Sequence, residues 1–203
     1  MKQLLANMTL ISVLMLSTLH VWAATNAQDA ETLIATTTTK VLEALKKNPN
    51  QIRGLVENEV LPHFDLNTMS TRMLGKHWRR ANKNQKTRFV EGLRYLLISF
   101  YSFPPIKVAL VDQIDYSSKA LGMMGKKKPK PTALVSAKIY QKGKSTPIEV
   151  DYFMYFKSKS EKWKVYNLSV GGMNLVNSYR IAFKTISKID DFIKLMSHIV
   201  LPN

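Results

Sequence analysis

Apolar spacing switches once along this 203-residue chain, from helical to alternating, and the switch restricts the fold more than any other feature. Up to Tyr101 the pattern is helical. Leu33, Ile34, Thr37, Val41, Leu42 and Leu45 form the stripe of a first helix running from Ala30 to Leu45, broken by Asn48-Pro49-Asn50. Ile52, Leu55, Val56 and Val60 line a second, which ends at Leu61-Pro62. Asp65 is placed to cap a third carrying Leu66, Met69, Met73 and Leu74. Asn82 and Gln85 then make a capping box for the longest helix, whose inner face holds Phe89, Val90, Leu93, Leu96, Leu97, Phe100 and Tyr101 and which Pro104-Pro105 stops.

Beyond the prolines the period is two. Ile106, Val108 and Leu110 alternate with Lys107, Ala109 and Val111 as a first strand. Ala133, Val135, Ala137 and Ile139 mark a second, and Ile148, Val150, Tyr152, Met154 and Phe156 a third after the turn at Lys142-Gly143. The fourth runs from Lys162 to Ser169, with Trp163 and Val165 facing one way and Tyr166 and Leu168 the other. Gly171-Gly172 is either a hinge or a tight turn, because glycine permits positive φ. Leu175, Val176, Tyr179, Ala182, Phe183 and Ile186 return to helical spacing, and Asp190 caps a last helix bearing Phe192, Ile193, Leu195, Met196, Ile199 and Val200. The expectation is an α+β fold: a curved antiparallel sheet of about four strands with N-terminal and C-terminal helices banked on one face. No internal repeat or second domain is evident.

The N-terminus reads as an export signal. Lys2 precedes an apolar run from Leu4 to Leu19 without acid or base, and Val21-Trp22-Ala23 offers a cleavage site before Ala24. Residues 1–23 are therefore expected to be removed, leaving 24–203 as one domain in the periplasm. The run is too short and too often interrupted by Thr9, Ser12, Ser17 and Thr18 to span a bilayer of about 20 residues. The chain has no cysteine, which excludes disulfides, thiol catalysis and cysteine-bound metals. A net charge of +16 calls for anionic partners, and export directs that preference away from nucleic acid toward phospholipid headgroups or acidic proteins. Scattered basic residues serving solubility alone are the alternative.

Catalytic signals are weak. His63, His77 and His198 lack metal-ligand spacing, and no nucleophile elbow or phosphate-cradling glycine loop occurs. No metal or cofactor is expected. Glu149 and Asp151 sit on the polar side of a strand, and Asp112 and Asp115 near the end of another, where pairing with lysine is their simplest use. Two basic clusters are candidates for contact with a partner or headgroup: Arg79, Arg80 and Lys83 before the long helix, and Lys126, Lys127, Lys128 and Lys130 in a loop that follows Leu121-Gly122-Met123-Met124-Gly125.

The words around these features resemble the MlaC family of periplasmic phospholipid-shuttling proteins. Trp163, Val165, Tyr166 and Gly172 match the family's final strand and corner, with Asn167 in place of its Asp and Met173-Asn174 in place of its Val-Ser. Val60-Leu61-Pro62, Asp65, Leu74-Gly75, Trp78-Arg79, Ala81, Gln85, Phe89, Arg94, Leu97 and Tyr101 match its helical half. The resemblance implies a monomeric cup around an apolar cavity for a diacyl phospholipid. It also implies a shuttle between an outer-membrane lipoprotein complex and the substrate-binding component of an inner-membrane ABC transporter. The cavity residues on that reading are Phe89, Leu93, Leu97, Phe100, Tyr101, Val108, Leu110, Val135, Val150, Tyr152, Met154, Leu168, Met173, Val176 and Tyr179, with Gly171 and Gly172 as hinge. Two other classes stay open: an exported isomerase or dehydratase with an acid inside a similar cone, and a module binding anionic polymers.

Overall fold

A computed structural model describes residues 26–102, 108–183, 188–191 and 193–194. Helix α1 (Ala27–Lys47) begins where the Asn26 side chain accepts the Gln28 N–H and ends at Asn48, whose extended backbone turns away from the helix. Helix α2 (Ile52–Leu55) loosens into a π turn (Val56–Val60) and a tighter turn (Leu61–His63) holding Pro62. Helix α3 (Leu66–Leu74) starts at Asp65, which accepts the Thr68 N–H at 2.9 Å, and stops at Gly75, φ +52°. Helix α4 (Lys76–Arg80) is short, and helix α5 (Lys83–Ser102) opens with the reciprocal Asn82–Gln85 bonds at 3.1 and 2.9 Å.

Five antiparallel strands follow in sequential order: β1 (Val111–Met124), β2 (Lys130–Gln141), β3 (Ile148–Lys157), β4 (Lys162–Val170) and the two-residue β5 (Met173–Asn174). Helix α6 (Leu175–Ala182) comes next. Gly171 and Gly172, φ +54° and +81°, form the two-residue turn from β4 to β5, with Val170 paired to Met173. The fold class is α+β, as the periodicity indicated.

Four details differ from the sequence reading. The expected first strand is displaced: residues 108–110 form a one-turn helix, β1 begins at Val111 and runs to Met124, and residues 106–107 lie outside the described residues. β1 is an edge strand with no fully buried residue, so it lacks the apolar alternation that marks its neighbours. Leu168 does not oppose Trp163 and Val165. Val165 pairs with Met154, Asn167 with Phe153 and Leu168 with Tyr152, so Tyr166 is an extra residue, a β-bulge. The bulge returns Leu168 to the face that already carries Trp163 and Val165, and leaves Tyr166 on the other beside Phe153 and Tyr155. The helix lying closest on the sheet is α1, against β1, β2 and β4, whereas α5 packs on α2 and α3. Asp190 lies inside the last helical stretch instead of capping it, and accepts from Gln85 at 2.9 Å and Arg88 at 3.4 Å near the start of α5.

The outer edge of β4 is covered in two places. Phe64 bridges Val165 in parallel, the Asp65 N–H donates to the Val165 carbonyl at 2.8 Å, and the Lys164 amine donates to the Pro62 carbonyl. β5 covers the second place. Among the described residues no helix is long and apolar enough to cross a membrane.

The bulge makes a test of register. Deleting Tyr166 would remove the extra residue and leave Asn167 opposite Phe153 and Leu168 opposite Tyr152, still facing inward, so the variant should keep cooperative thermal unfolding. Tyr166→Ala keeps the residue count and should cost only about 1–2 kcal/mol, read as a midpoint shift by circular dichroism.

Candidate functional site

Nine of the fifteen residues expected to line a cavity fall into one apolar cluster. Phe89, Leu93 and Leu97 come from α5, Val135 from β2, Val150, Tyr152 and Met154 from β3, Leu168 from β4 and Val176 from α6. All nine are buried, and Tyr179 packs against the cluster half-exposed. Phe183 links α6 to α5, its ring meeting Phe89 edge-on at 5.9 Å and Tyr179 at 5.6 Å. Three expected residues stand apart. Phe100 is exposed, Leu110 lies half-buried in the turn before β1, and Met173 is 70% exposed beyond the glycine turn. The side chains of Tyr101 and Val108 lie outside the described residues.

Alpha helix α6 is tied to the sheet by an asparagine that the spacing did not single out. The Asn167 Oδ1 accepts the N–H of Leu168 at 2.9 Å and that of Val176 at 3.2 Å, while Asn174 caps the same helix through the Asn177 N–H. The bulge turns Asn167 toward α6, so strand and helix are joined across the Gly171-Gly172 turn by a side chain as well as by the chain.

At the β4 edge α3, whose Met69, Met73 and Leu74 join the cluster, is clamped by polar contacts to residues of the opposite sheet face. The Tyr155 hydroxyl donates to Asp65, the residue that caps α3. Burial pushes the Asp65 carboxyl up, but the bonds from Tyr155 and Thr68 outweigh it and hold the group below its ordinary value. Burial and the Asp65 carboxylate together push Tyr155 up to about 12. Farther along α3, the Arg72 guanidinium lies 4.4 Å from the Tyr166 ring centre and donates to the Met124 sulfur at 2.6 Å. Burial, then the charge of Lys164, lowers His63. Among the described residues no group of histidines and carboxylates could hold a metal.

Of the strand acids expected to pair with lysine, Glu149 does so, while Asp151 bonds a serine instead. Glu149 pairs with Lys138 at 3.5 Å and Asp151 accepts from Ser136 at 2.5 Å, on the side of the sheet away from the apolar cluster. Of the basic residues, Arg79 and Arg80 are exposed at the end of α4. Lys83 lines an open groove of about 460 Å³ with Asn67, Trp78, Lys86, Thr87, Val90 and Glu91, and the Lys86 ammonium sits 5.7 Å from the Trp78 ring centre. Lys126, Lys127 and Lys128 are exposed in the β1–β2 turn, and Lys130 begins β2 with its ammonium 4.4 Å from the Tyr155 ring centre.

Two measurements follow from the tethers. Asn167→Ala should cost about 1–2 kcal/mol because two N–H groups lose their acceptor, whereas Asn167→Asp retains one and should cost less; urea titration separates them. Tyr155 keeps its proton in the fold to about pH 12 against about 10 when unfolded, so stability falls as pH rises between those values. Tyr155→Phe should make that alkaline slope shallower. It should also raise the pH at which Asp65 protonates, so stability that the native protein loses only as pH falls through the lowered Asp65 pKa is lost earlier.

Comparison with known proteins bears on what this arrangement serves. The intermembrane phospholipid transport system binding protein MlaC of Haemophilus influenzae is 25% identical over 135 residues, covering 65% of this chain and 59% of that protein, less than two thirds of its length. The fold is shared with a phospholipid-binding protein of Ralstonia solanacearum solved in complex with a phospholipid, at a TM-score of 0.64 and 20% identity, covering 83% of this chain and 95% of that one. The profile of the MlaC protein family matches residues 30–200, the greater part of the sequence, and the chain belongs to that family.

Proposed function

We propose that this protein is a periplasmic phospholipid carrier, with residues 1–23 as its removable export signal and the rest a single lipid-binding domain. The observation that carries the reading is the gathering of Phe89, Leu93, Leu97, Val135, Val150, Met154 and Val176 from four elements into one apolar cluster. That cluster offers acyl chains a water-free site, with α5 set off the sheet and α6 held over its side by side-chain bonds that can break. The fold shared with a protein that holds a phospholipid supports the same ligand here. An enzyme of cone type needs an acid on the core side, and the strand acids Glu149 and Asp151 instead pair on the far face.

Magnitude sets the mode of release. Burying ~30 methylenes at about 0.8 kcal/mol each gives a gross gain on the order of 20 kcal/mol before ordering costs. Escape into water would be too slow for transport, so handover requires contact with a membrane-bound partner that opens an apolar path. We assign that partner to the substrate-binding component of an inner-membrane ABC transporter on one side and an outer-membrane lipoprotein complex on the other. Arg79, Arg80 and Lys83 are the contact residues, next to the groove at Trp78. The Gly171-Gly172 turn is the pivot of α6 during release. Both glycines have positive φ, so Gly172→Val strains the turn and should alter transfer rate together with stability.

Native mass spectrometry of the gently purified protein tests the cargo. One diacyl phospholipid per chain is expected. Ala137→Phe, which fills space on the core face of β2, should reduce bound lipid at least tenfold in a protein that still folds, at a stability cost of about 1–3 kcal/mol. A chain that emerges without lipid, or an Ala137→Phe variant that retains it fully, would overturn the reading.

A further inference from the structure

The β1–β2 hairpin ends in an arm built unlike the rest of the sheet. β2 pairs with β3 only from Thr132 onward, so Lys130 and Pro131 pair with β1 alone. A bulge at Leu121 shifts the β1 register between Ala120 and Gly122, and the Thr132 hydroxyl pins it by donating to the Gly122 carbonyl at 2.9 Å. Gly122 and Gly125, φ +96° and +97°, allow the shift and the closing turn, and a Cβ at Gly125 would meet the Lys128 carbonyl at 3.2 Å. Bulges re-aim side chains. Here Leu121 is 43% and Met123 65% exposed on the β1 side of the hairpin, a few residues before Lys126, Lys127 and Lys128 in its turn.

Charge over this arm has one sign. Between Asp115 and Glu149 the chain has eight lysines and no acid, and among the described residues Lys126, Lys127 and Lys128 enter no ion pair. The arm is held at its last pair before the turn: Arg72 contacts Met124, and Lys130 lies on Tyr155. A braced hairpin end with two bare apolar side chains and a turn of free ammonium groups fits the water–lipid boundary, where apolar groups enter the acyl region and lysines meet phosphates. A protein groove would need a shape partner for Leu121 and Met123; a bilayer needs none.

We propose that this arm docks the protein on anionic phospholipid bilayers. The docking is independent of the cargo: it places the protein at a membrane and does not open the apolar site. Co-sedimentation of the purified protein with vesicles of phosphatidylethanolamine and phosphatidylglycerol, against phosphatidylcholine alone, reads it out. Binding should appear only with the anionic vesicles and weaken steeply between low and physiological salt. Charge reversal, K126E/K127E/K128E, should lower affinity on the order of 100-fold, each lysine near an anionic surface being worth about fivefold. L121S/M123S should lower it about tenfold and leave the salt dependence in place. Lipid content by native mass spectrometry should stay unchanged in both variants, which separates loss of docking from loss of cargo. Equal binding to neutral vesicles, no binding to anionic ones, or variants that bind vesicles like the parent would overturn the proposal. So would charge reversal that abolishes association with a membrane protein while vesicle binding persists, an outcome that makes the arm a protein contact.

Discussion

One extra residue in β4 governs how the two faces of this sheet are used. Strict alternation after Val165 would send Asn167 into the apolar cluster and Leu168 out of it. The bulge at Tyr166 prevents both. Leu168 joins Trp163 and Val165 inside, with Leu168 2% exposed, and Asn167 becomes the acceptor that fastens α6. Tyr166 stays on the opposite face, where Arg72 stacks on its ring. A buried amide on the apolar side would be costly without partners, whereas at the helix start it satisfies two N–H groups. One irregularity therefore positions the core wall, the covering helix and the outer clamp together.

The clamp connects elements far apart in sequence. Asp65 caps α3, its backbone N–H continues the edge of β4, and its carboxylate accepts from Tyr155 of β3. At the other end of α3, Arg72 reaches both the bulge and Met124, the last paired residue before the β1–β2 turn. The same short helix thus braces the sheet and the hairpin end at its corner. Hydrogen bonds to a carboxylate are stronger than neutral ones, and two part-buried ones, from Thr68 and Tyr155, converge on Asp65 at the half of β4 that β5 does not cover.

Helices and central strands were legible because their residues carry the signal directly. Asn82–Gln85, Asp65 and Asn48-Pro49 set helix ends through local chemistry, and Ala133 to Ile139 and Ile148 to Phe156 alternate because one face of β2 and β3 is buried. Edge strand β1 was not, since a wet strand needs no apolar alternation and its pairing partner is 15 or more residues away in most of its length. The bulge was hidden for a different reason: Val-Tyr-Asn-Leu reads equally well as unbroken alternation until β3 supplies the register. Most of the cavity residues named from sequence do converge, because buried helix and strand faces share one core. Met173 and Phe100 do not, since hydrophobic character alone cannot say whether a residue at the end of an element turns in or out.

Burial of lipid tails among the residues of α5, β2, β3 and α6 is the claim on which the carrier reading stands. A phospholipid bearing a photoactivatable diazirine near the end of one acyl chain, loaded into the protein and irradiated, tests it most directly. Label should appear, by peptide mass spectrometry, on segments containing Phe89 to Leu97, Val135, and Val150 to Met154. Label confined to the exposed Met123, Phe100 or Met173, or spread evenly over the surface, would contradict it.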